Sequence, residues 1–136
     1  MKRFVIVIIL VFSFTFDPTS CAGTVKENEL PLCRVITHCA IANLEVANVE
    51  DSFNKISELI VHTPRTKIIE KTENYIHAEA QTKWMRYTDD LLVKALPDKK
   101  IIQLRSESRV GIGDNGVNKK RLNDLVYRLS ANQLVN

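Results

Sequence analysis

The sequence predicts an α+β two-layer sandwich, in which a four-stranded antiparallel sheet carries an N-terminal and a C-terminal helix on one face. Two segments, one after Asp51 and one from 117 to about 133, space their apolar residues as amphipathic helices do. Between them lie short segments that alternate apolar and polar residues or are bounded by turn residues. Because so few residues separate these segments, antiparallel hairpins are favoured over crossover connections.

The first helix is predicted to be capped by Asp51-Ser52, which are residues of the capping type, and to end at Pro64. Its apolar face follows from three- and four-residue spacing. The residues of that face are Phe53, Ile56, Leu59 and Ile60.

The strands come next, and the segment 75–84 shows the clearest alternation. Turn-forming residues occupy 72–74, and 97–100 is predicted as a hairpin loop. The second helix then presents a second apolar stripe. The four predicted strands are 67–71, 75–84, 89–96 and 101–109, and the stripe is Leu122, Leu125, Val126 and Leu129.

Residues 1–22 are predicted to be a secretory signal peptide rather than part of the domain. Lys2 and Arg3 precede an apolar run over 4–16, which is too short for the ~20 residues that span a bilayer. Small residues follow, as they do before a cleavage site. A second interpretation stays open, in which cleavage before Cys21 leaves that cysteine lipidated.

An extended arm is predicted over 23–48, followed by the α+β domain over 49–136. Cys21 would be removed with the leader or would carry a lipid, so Cys33 and Cys39 remain as a pair. In an exported chain, their spacing predicts a disulfide that closes a small loop. A metal site is disfavoured, since His38 lies between the two cysteines and the sequence offers no second cluster of ligands.

The charge balance limits the partners that the chain can have. The net charge is +3, and the leader would remove Lys2, Arg3 and Asp17, so the remaining chain is nearly balanced. Such a balance, together with export, argues against nucleic-acid binding. The expected location is periplasmic or extracellular, with membrane attachment only through a lipid on Cys21.

The densest group of polar residues lies in the strand, turn and helix over 105–121. Arg105 and Arg109 share one face of a strand, and Arg121 lies in the following helix, so an anion could be held by bidentate contacts. A plainer interpretation remains open: the glycines form a turn with positive φ, Asp114 or Asn115 caps the helix, and acidic residues neutralise the arginines.

Catalysis is the weaker interpretation of the same region. Asp89 and Asp90 are adjacent in a strand, so they point to opposite faces and cannot easily act on one atom. Their predicted partners are Arg86 and Arg105. A hydrolase would have to use these aspartates, or Ser106 or Ser108, with a base that the sequence does not reveal.

Three motifs resemble the bacterial family catalogued as domain of unknown function 1499. They are Thr88-Asp89-Asp90, then the strand 105–111 (RSESRVG), then 114–121 (DNGVNKKR). The cysteine pair also resembles the opening of that family, although Thr37-His38 and 40–42 (AIA) differ from its usual residues. The resemblance covers roughly residues 30 to 130. It implies a secreted or membrane-attached protein and supplies no reaction, substrate or cofactor.

These observations favour a non-enzymatic envelope protein that binds an anionic small molecule, a lipid headgroup or an envelope protein. The hydrolase is the alternative. No catalytic residue, metal or cofactor is predicted. The candidate binding residues are Asp89, Asp90, Arg105, Ser108, Arg109, Asp114, Asn118 and Arg121.

Overall fold

A computed structural model of the chain describes residues 29–111 and 113–133. The predicted leader over 1–22, and with it Cys21, lies outside the described residues. The elements in order are β1 (Cys39–Glu45), α1 (Val49–Val61), β2 (Thr66–Lys71), β3 (Tyr75–Gln81), β4 (Thr88–Leu96), a 3₁₀ turn (Pro97–Lys99), β5 (Ile101–Ser108) and α2 (Val117–Gln133).

Within the described residues the sheet has five antiparallel strands in the order β1-β5-β4-β3-β2, so the predicted count of four is wrong. The additional strand is β1, which lies within the segment predicted as an extended arm. Ala40, Ala42 and Leu44 pack against the core at alternate positions of β1. Alanine has little preference for strands, so this alternation is a weak signal in the sequence.

Helix α1 begins earlier than predicted, at Val49 rather than after Asp51. Asn48 is its capping residue, and the Asn48 Oδ1 atom accepts a hydrogen bond from the Asp51 backbone N–H at 3.1 Å. Asp51 therefore lies in the first turn, where a negative charge favours the positive end of the helix dipole.

The apolar core joins both helices to the three central strands. Phe53 of α1 and Leu125 of α2 belong to one buried cluster with Val93 of β4 and Leu104 of β5. Helix α2 lies mainly against β1 and β5, whereas α1 lies mainly against β2 and β4. The structure therefore differs from the predicted arrangement, in which both helices lay on one face of a four-stranded sheet, since each helix packs mainly against its own pair of the five strands.

The chain before β1 is attached to the body by covalent and polar contacts. Cys33 and Cys39 form a disulfide, as the sequence predicted. Further back, Leu30 is buried, and its backbone N–H donates to the Gln103 Oε1 atom of β5 at 2.8 Å. No helix within the described ranges is both long enough and apolar enough to cross a membrane.

Candidate functional site

A buried group of polar side chains, here called the inner polar network, lies between α2 and the side of β4 and β5 that faces it. The strand register places Asp89 opposite Ser108, and Ser106 lies two residues away on the same face of β5. Helix α2 supplies Asn118 and Arg121, which are three residues apart and therefore on one face of the helix. Five polar residues thus converge where a core would normally be apolar.

Asn118 is the centre of the inner polar network and is fully buried. Its Nδ2 atom donates to the Ser108 Oγ atom at 2.8 Å and to the backbone carbonyl of His38 at 3.0 Å. Its Oδ1 atom accepts from the Ser106 hydroxyl at 2.5 Å and from Arg121 at 2.8 Å. One side chain therefore links β5, the chain before β1, and α2.

Arg121 and Asp89 form an ion pair within this network. The Arg121 guanidinium donates to the Asp89 Oδ2 atom at 2.7 Å and to the Ser106 Oγ atom at 2.8 Å. Asp89 is 0% exposed, and its Oδ1 atom has no hydrogen-bond partner among the described residues. A buried acceptor without a partner is unfavourable, which marks this atom as a position for a hydrogen-bond donor.

The turn before α2 is held by Asp114. Its carboxylate accepts from the backbone N–H groups of Gly116 and Asn118, both at 2.8 Å, and so caps the helix. Burial raises the pKa of Asp114, but these backbone hydrogen bonds outweigh it, and the pKa lies below its usual range. Gly111 and Gly116 both have positive φ, as the sequence predicted for this turn.

A second polar group, here called the outer charge cluster, lies on the opposite side of β3 and β4. Arg109 binds Asp90 through two hydrogen bonds of 2.7 and 2.9 Å, and also donates to Glu79 at 2.6 Å. His77 contacts the Asp90 Oδ1 atom at 2.7 Å. The hydrogen bond from Arg109 lowers the pKa of Asp90 against the effect of desolvation, and the His77 contact lowers it further.

Arg105 lies on this outer side as well, yet it is almost completely buried. Its guanidinium donates to Glu107 at 2.6 Å, and its Nε atom has no partner among the described residues. Arg105 is two residues from Gln103, which receives the Leu30 N–H. The chain before β1 therefore reaches the same side of β5 as this arginine.

The candidate residues taken from the sequence are divided between two sides of the sheet. The prediction that Asp89 and Asp90 point apart is confirmed, but their partners are Arg121 and Arg109, not Arg86 and Arg105. Each of the three candidate arginines has a carboxylate partner, which is the plainer interpretation that the sequence left open. The inner group is Asp89, Ser108, Asp114, Asn118 and Arg121, and the outer group is Asp90, Arg105 and Arg109.

A cleft of about 560 Å³, here called the end cleft, opens where the β3–β4 loop faces the turn before α2. Asp89, Ser108 and Arg121 line it, so the inner polar network reaches its wall. Its remaining described lining residues are Arg65, Gln81, Thr82, Lys83, Trp84, Met85, Tyr87, Val110, Gly113, Asp114, Asn115, Val117 and Lys120.

The β3–β4 loop, residues 82–87, is the part of the end cleft that the sequence did not reveal. Strand β3 ends at Gln81, whereas the alternation had extended it to Trp84. Trp84 is 86% exposed and Met85 is 66% exposed, so neither belongs to the core. The available signal was the order of residues 83–86 (KWMR), in which two apolar side chains lie between two cations.

Three of the four cations around the end cleft differ from the candidate arginines in having no acidic partner among the described residues. Four cations and two carboxylates line the cleft within the described residues. Arg121 is paired with Asp89, whereas Arg65, Lys83 and Lys120 take part in none of the salt bridges between described residues. The cleft wall is therefore positively charged on balance.

The family model described as Protein of unknown function (DUF1499) matches residues 21–129. The chain belongs to this family. The match includes the two cysteines of the disulfide, the end cleft and the inner polar network, and it agrees with the resemblance noted in the sequence. A search of curated proteins finds no match to the chain.

Membership of DUF1499 assigns no activity to the chain, and the arrangement of its side chains is the remaining guide to what the site can bind or catalyse. In this DUF1499 chain, no three His, Cys, Asp or Glu side chains within residues 29–111 and 113–133 converge to hold a metal ion. The Ser106 and Ser108 hydroxyls are hydrogen bonded to Asn118, and neither contacts a histidine ring in the described structure.

Proposed function

We propose that this DUF1499 chain is a non-enzymatic binding domain, and that its ligand is an amphipathic anion held in the end cleft. The single observation that carries the proposal is that one cleft of about 560 Å³ is lined by exposed apolar side chains and by cations that form no salt bridge with a described residue. Pockets of a few hundred Å³ with apolar walls and a few placed polar groups are typical of small-molecule sites.

The apolar part of the ligand would contact the aromatic side of the cleft. Trp84, Met85, Tyr87 and Val110 all line it and are all exposed. Clusters of large exposed apolar side chains are uncommon on a monomer surface and usually mark an interaction site. A hydrocarbon chain or ring placed against them would remove this area from water, which is favourable by about 25 cal/mol per Å².

The anionic part would be recognised by Arg65, Lys83 and Lys120. These replace the arginines suggested by the sequence, because Arg105 and Arg109 already bind carboxylates on the other side of the sheet. A lipid headgroup and a free carboxylate or phosphate compound present the same negative charge. The shared chemistry is an anion attached to an apolar body.

The Asp89 Oδ1 atom adds a further requirement to the ligand. This atom is buried in the wall of the cleft and lacks a partner among the described residues. A hydroxyl or N–H group on the ligand would satisfy it, so we expect the ligand to carry a hydrogen-bond donor near its anionic group.

Export to an oxidising compartment is part of this proposal. The Cys33–Cys39 disulfide supports it, because disulfides persist mainly in secreted and periplasmic proteins. The hydrolase alternative lacks support of this kind, since no described contact gives Ser106 or Ser108 a general base.

Titration calorimetry with decyl phosphate, kept below its critical micelle concentration, tests the proposal on the full chain. We expect saturable binding that is tighter than binding of neutral decanol. Lys120→Gln and Arg65→Gln should each weaken it about tenfold, since each removes one charged contact. Lys100→Gln, an exposed lysine of the β4–β5 connection, is the matched control. Equal affinity for decanol and decyl phosphate, or no binding of either, would contradict the proposal.

A further inference from the structure

We propose that the tip of the β3–β4 loop, residues 83–86, docks this end of the molecule on the surface of an anionic lipid bilayer. The inference depends on the loop and not on an occupied end cleft, so it holds or fails separately from the proposed function. The tip carries two apolar side chains, Trp84 and Met85, which are 86% and 66% exposed.

Hydrogen bonds at the base of the loop and the backbone conformation of Arg86 keep the tip exposed. The backbone N–H of Tyr87 donates to the Thr82 Oγ1 atom at 3.0 Å, and the N–H of Thr82 donates to the Tyr87 carbonyl at 2.9 Å. Arg86 has a φ of 53°, a left-handed conformation that is uncommon outside glycine. The closed base and this turn hold Trp84 and Met85 at the end of the hairpin, away from the core.

Cations flank the apolar pair on both sides. Lys83 Nζ lies 5.3 Å from the centre of the Trp84 ring, and Arg86 follows Met85 in the chain. Neither cation forms a salt bridge with a described carboxylate. Each basic side chain near an anionic membrane surface contributes about 1 kcal/mol of attraction.

This combination matches the layers of a bilayer surface. Tryptophan prefers the boundary between headgroups and acyl chains, and the methionine side chain is apolar and adaptable. Lysine and arginine bury their aliphatic stems while their charges stay with the headgroups. With Trp84 and Met85 pointing into the boundary, Lys83 and Arg86 would lie at the level of the phosphates.

A bilayer fits this tip better than a protein surface does. A stable protein interface buries about 800 Å² on each partner, which two protruding side chains do not supply. Shallow insertion into a membrane requires only a few apolar side chains together with electrostatic attraction, and both are present. Charge complementarity therefore selects an anionic lipid surface as the occupant.

The test is flotation of the full chain with vesicles, carried out on the Cys21→Ser variant so that no acyl group at that position contributes. We expect the protein to float with vesicles of phosphatidylcholine and phosphatidylglycerol, and to float much less with phosphatidylcholine alone. Trp84 is the single tryptophan of the chain, so its emission should shift to the blue and be quenched by brominated acyl chains.

Variants separate the loop tip from the cleft. Lys83→Gln with Arg86→Gln should reduce binding to anionic vesicles at least tenfold, whereas Lys99→Gln with Lys100→Gln removes two charges from the β4–β5 connection and should not. Met85→Ala should weaken binding, whereas Tyr127→Ala, an aromatic that is 74% exposed on α2, should not. Arg65→Gln with Lys120→Gln should lose decyl phosphate while retaining most vesicle binding.

Three outcomes would overturn the inference. One is the absence of flotation with anionic vesicles at low ionic strength. Another is vesicle binding that the control lysine pair reduces as strongly as the tip pair does. The third is a blue shift of Trp84 with decyl phosphate but without quenching by brominated bilayers, which would assign this tryptophan to the cleft alone.

Discussion

Asp89 and Asp90 are neighbours in β4, yet their carboxylates lie in very different surroundings. Asp89 belongs to the inner polar network, and Asp90 belongs to the outer charge cluster. Asp89 is fully buried, and its partner Arg121, which also binds the buried Ser106 and Asn118, is itself mostly buried. Asp90 is partly exposed, and its partner Arg109 is exposed to solvent as well. A shift of one residue along a strand reverses the side of the sheet, and with it the solvation of the ion pair.

One short motif can thus hold two kinds of ion pair, one buried and one exposed. A buried pair must be complete, because removing one partner leaves a charge that neither water nor protein solvates. A surface pair adds little, because water and salt already screen its charges. The inner polar network, which reaches the wall of the end cleft, therefore depends on a complete ion pair, whereas the outer charge cluster contributes mainly to the charge of the surface.

The largest effect is expected for Arg121→Met. This change leaves the Asp89 carboxylate buried without a cation, and we expect the free energy of unfolding to fall by about 3–5 kcal/mol in urea denaturation. Arg109→Met is the matched change on the other side of the sheet, and it should lower stability far less. Equal losses for the two variants would remove the distinction between the networks.

An intermediate effect is expected for Asn118→Ala. The substitution leaves the Ser106 and Ser108 hydroxyls and the His38 carbonyl without their shared partner. We expect a loss of about 2 kcal/mol in the same urea experiment, since buried polar groups without partners are unfavourable. Asn123→Ala, on the same helix but outside the network, serves as the control. A loss below that of the control would show that Asn118 does not organise this region.

The smallest effect is the pH dependence that Asp90 gives to stability. Its folded-state pKa is lowered, mainly by the hydrogen bond from Arg109, so the unfolded chain takes up this proton first as the pH falls. The contribution is fully present above the usual aspartate pKa of ~3.9 and is lost as the pH falls below it, through the lowered pKa.

Asp90→Asn should therefore be less stable than the natural chain at pH 7, by at most about 1 kcal/mol because solvent screens a partly exposed pair. The difference should shrink as urea titrations are repeated at pH values below 4. In an Arg109→Met background most of this pH dependence should disappear. A difference that grows with acidity would mean that the pKa of Asp90 is raised and not lowered.

The predictable parts of this fold depend on local sequence, and the missed parts depend on pairing at a distance. Alternation located β3 and β5, the adjacency of Asp89 and Asp90 in a strand placed them on opposite sides, and the cysteine spacing indicated the disulfide. The partners of Arg109 and Arg121 depend on the register between β3 and β4 and on where α2 packs against the sheet. No local sequence pattern predicts either of these. The end cleft is formed by two loops that are separate in sequence, so the spacing of residues did not reveal it.

The strand order has a consequence for how the chain is assembled during synthesis. Among the described strands, β1 pairs only with β5, with Cys39 opposite Glu107, so β1 has no partner until β5, the last of these strands, has been made. The hairpins from β2 to β5 join neighbours in the chain and form without waiting. Such a long-range pairing is slow to close. A chain that is still incomplete at β5 would therefore present the whole segment before α1 as an unpaired end, open to proteases and to oxidation of its cysteines with the wrong partner.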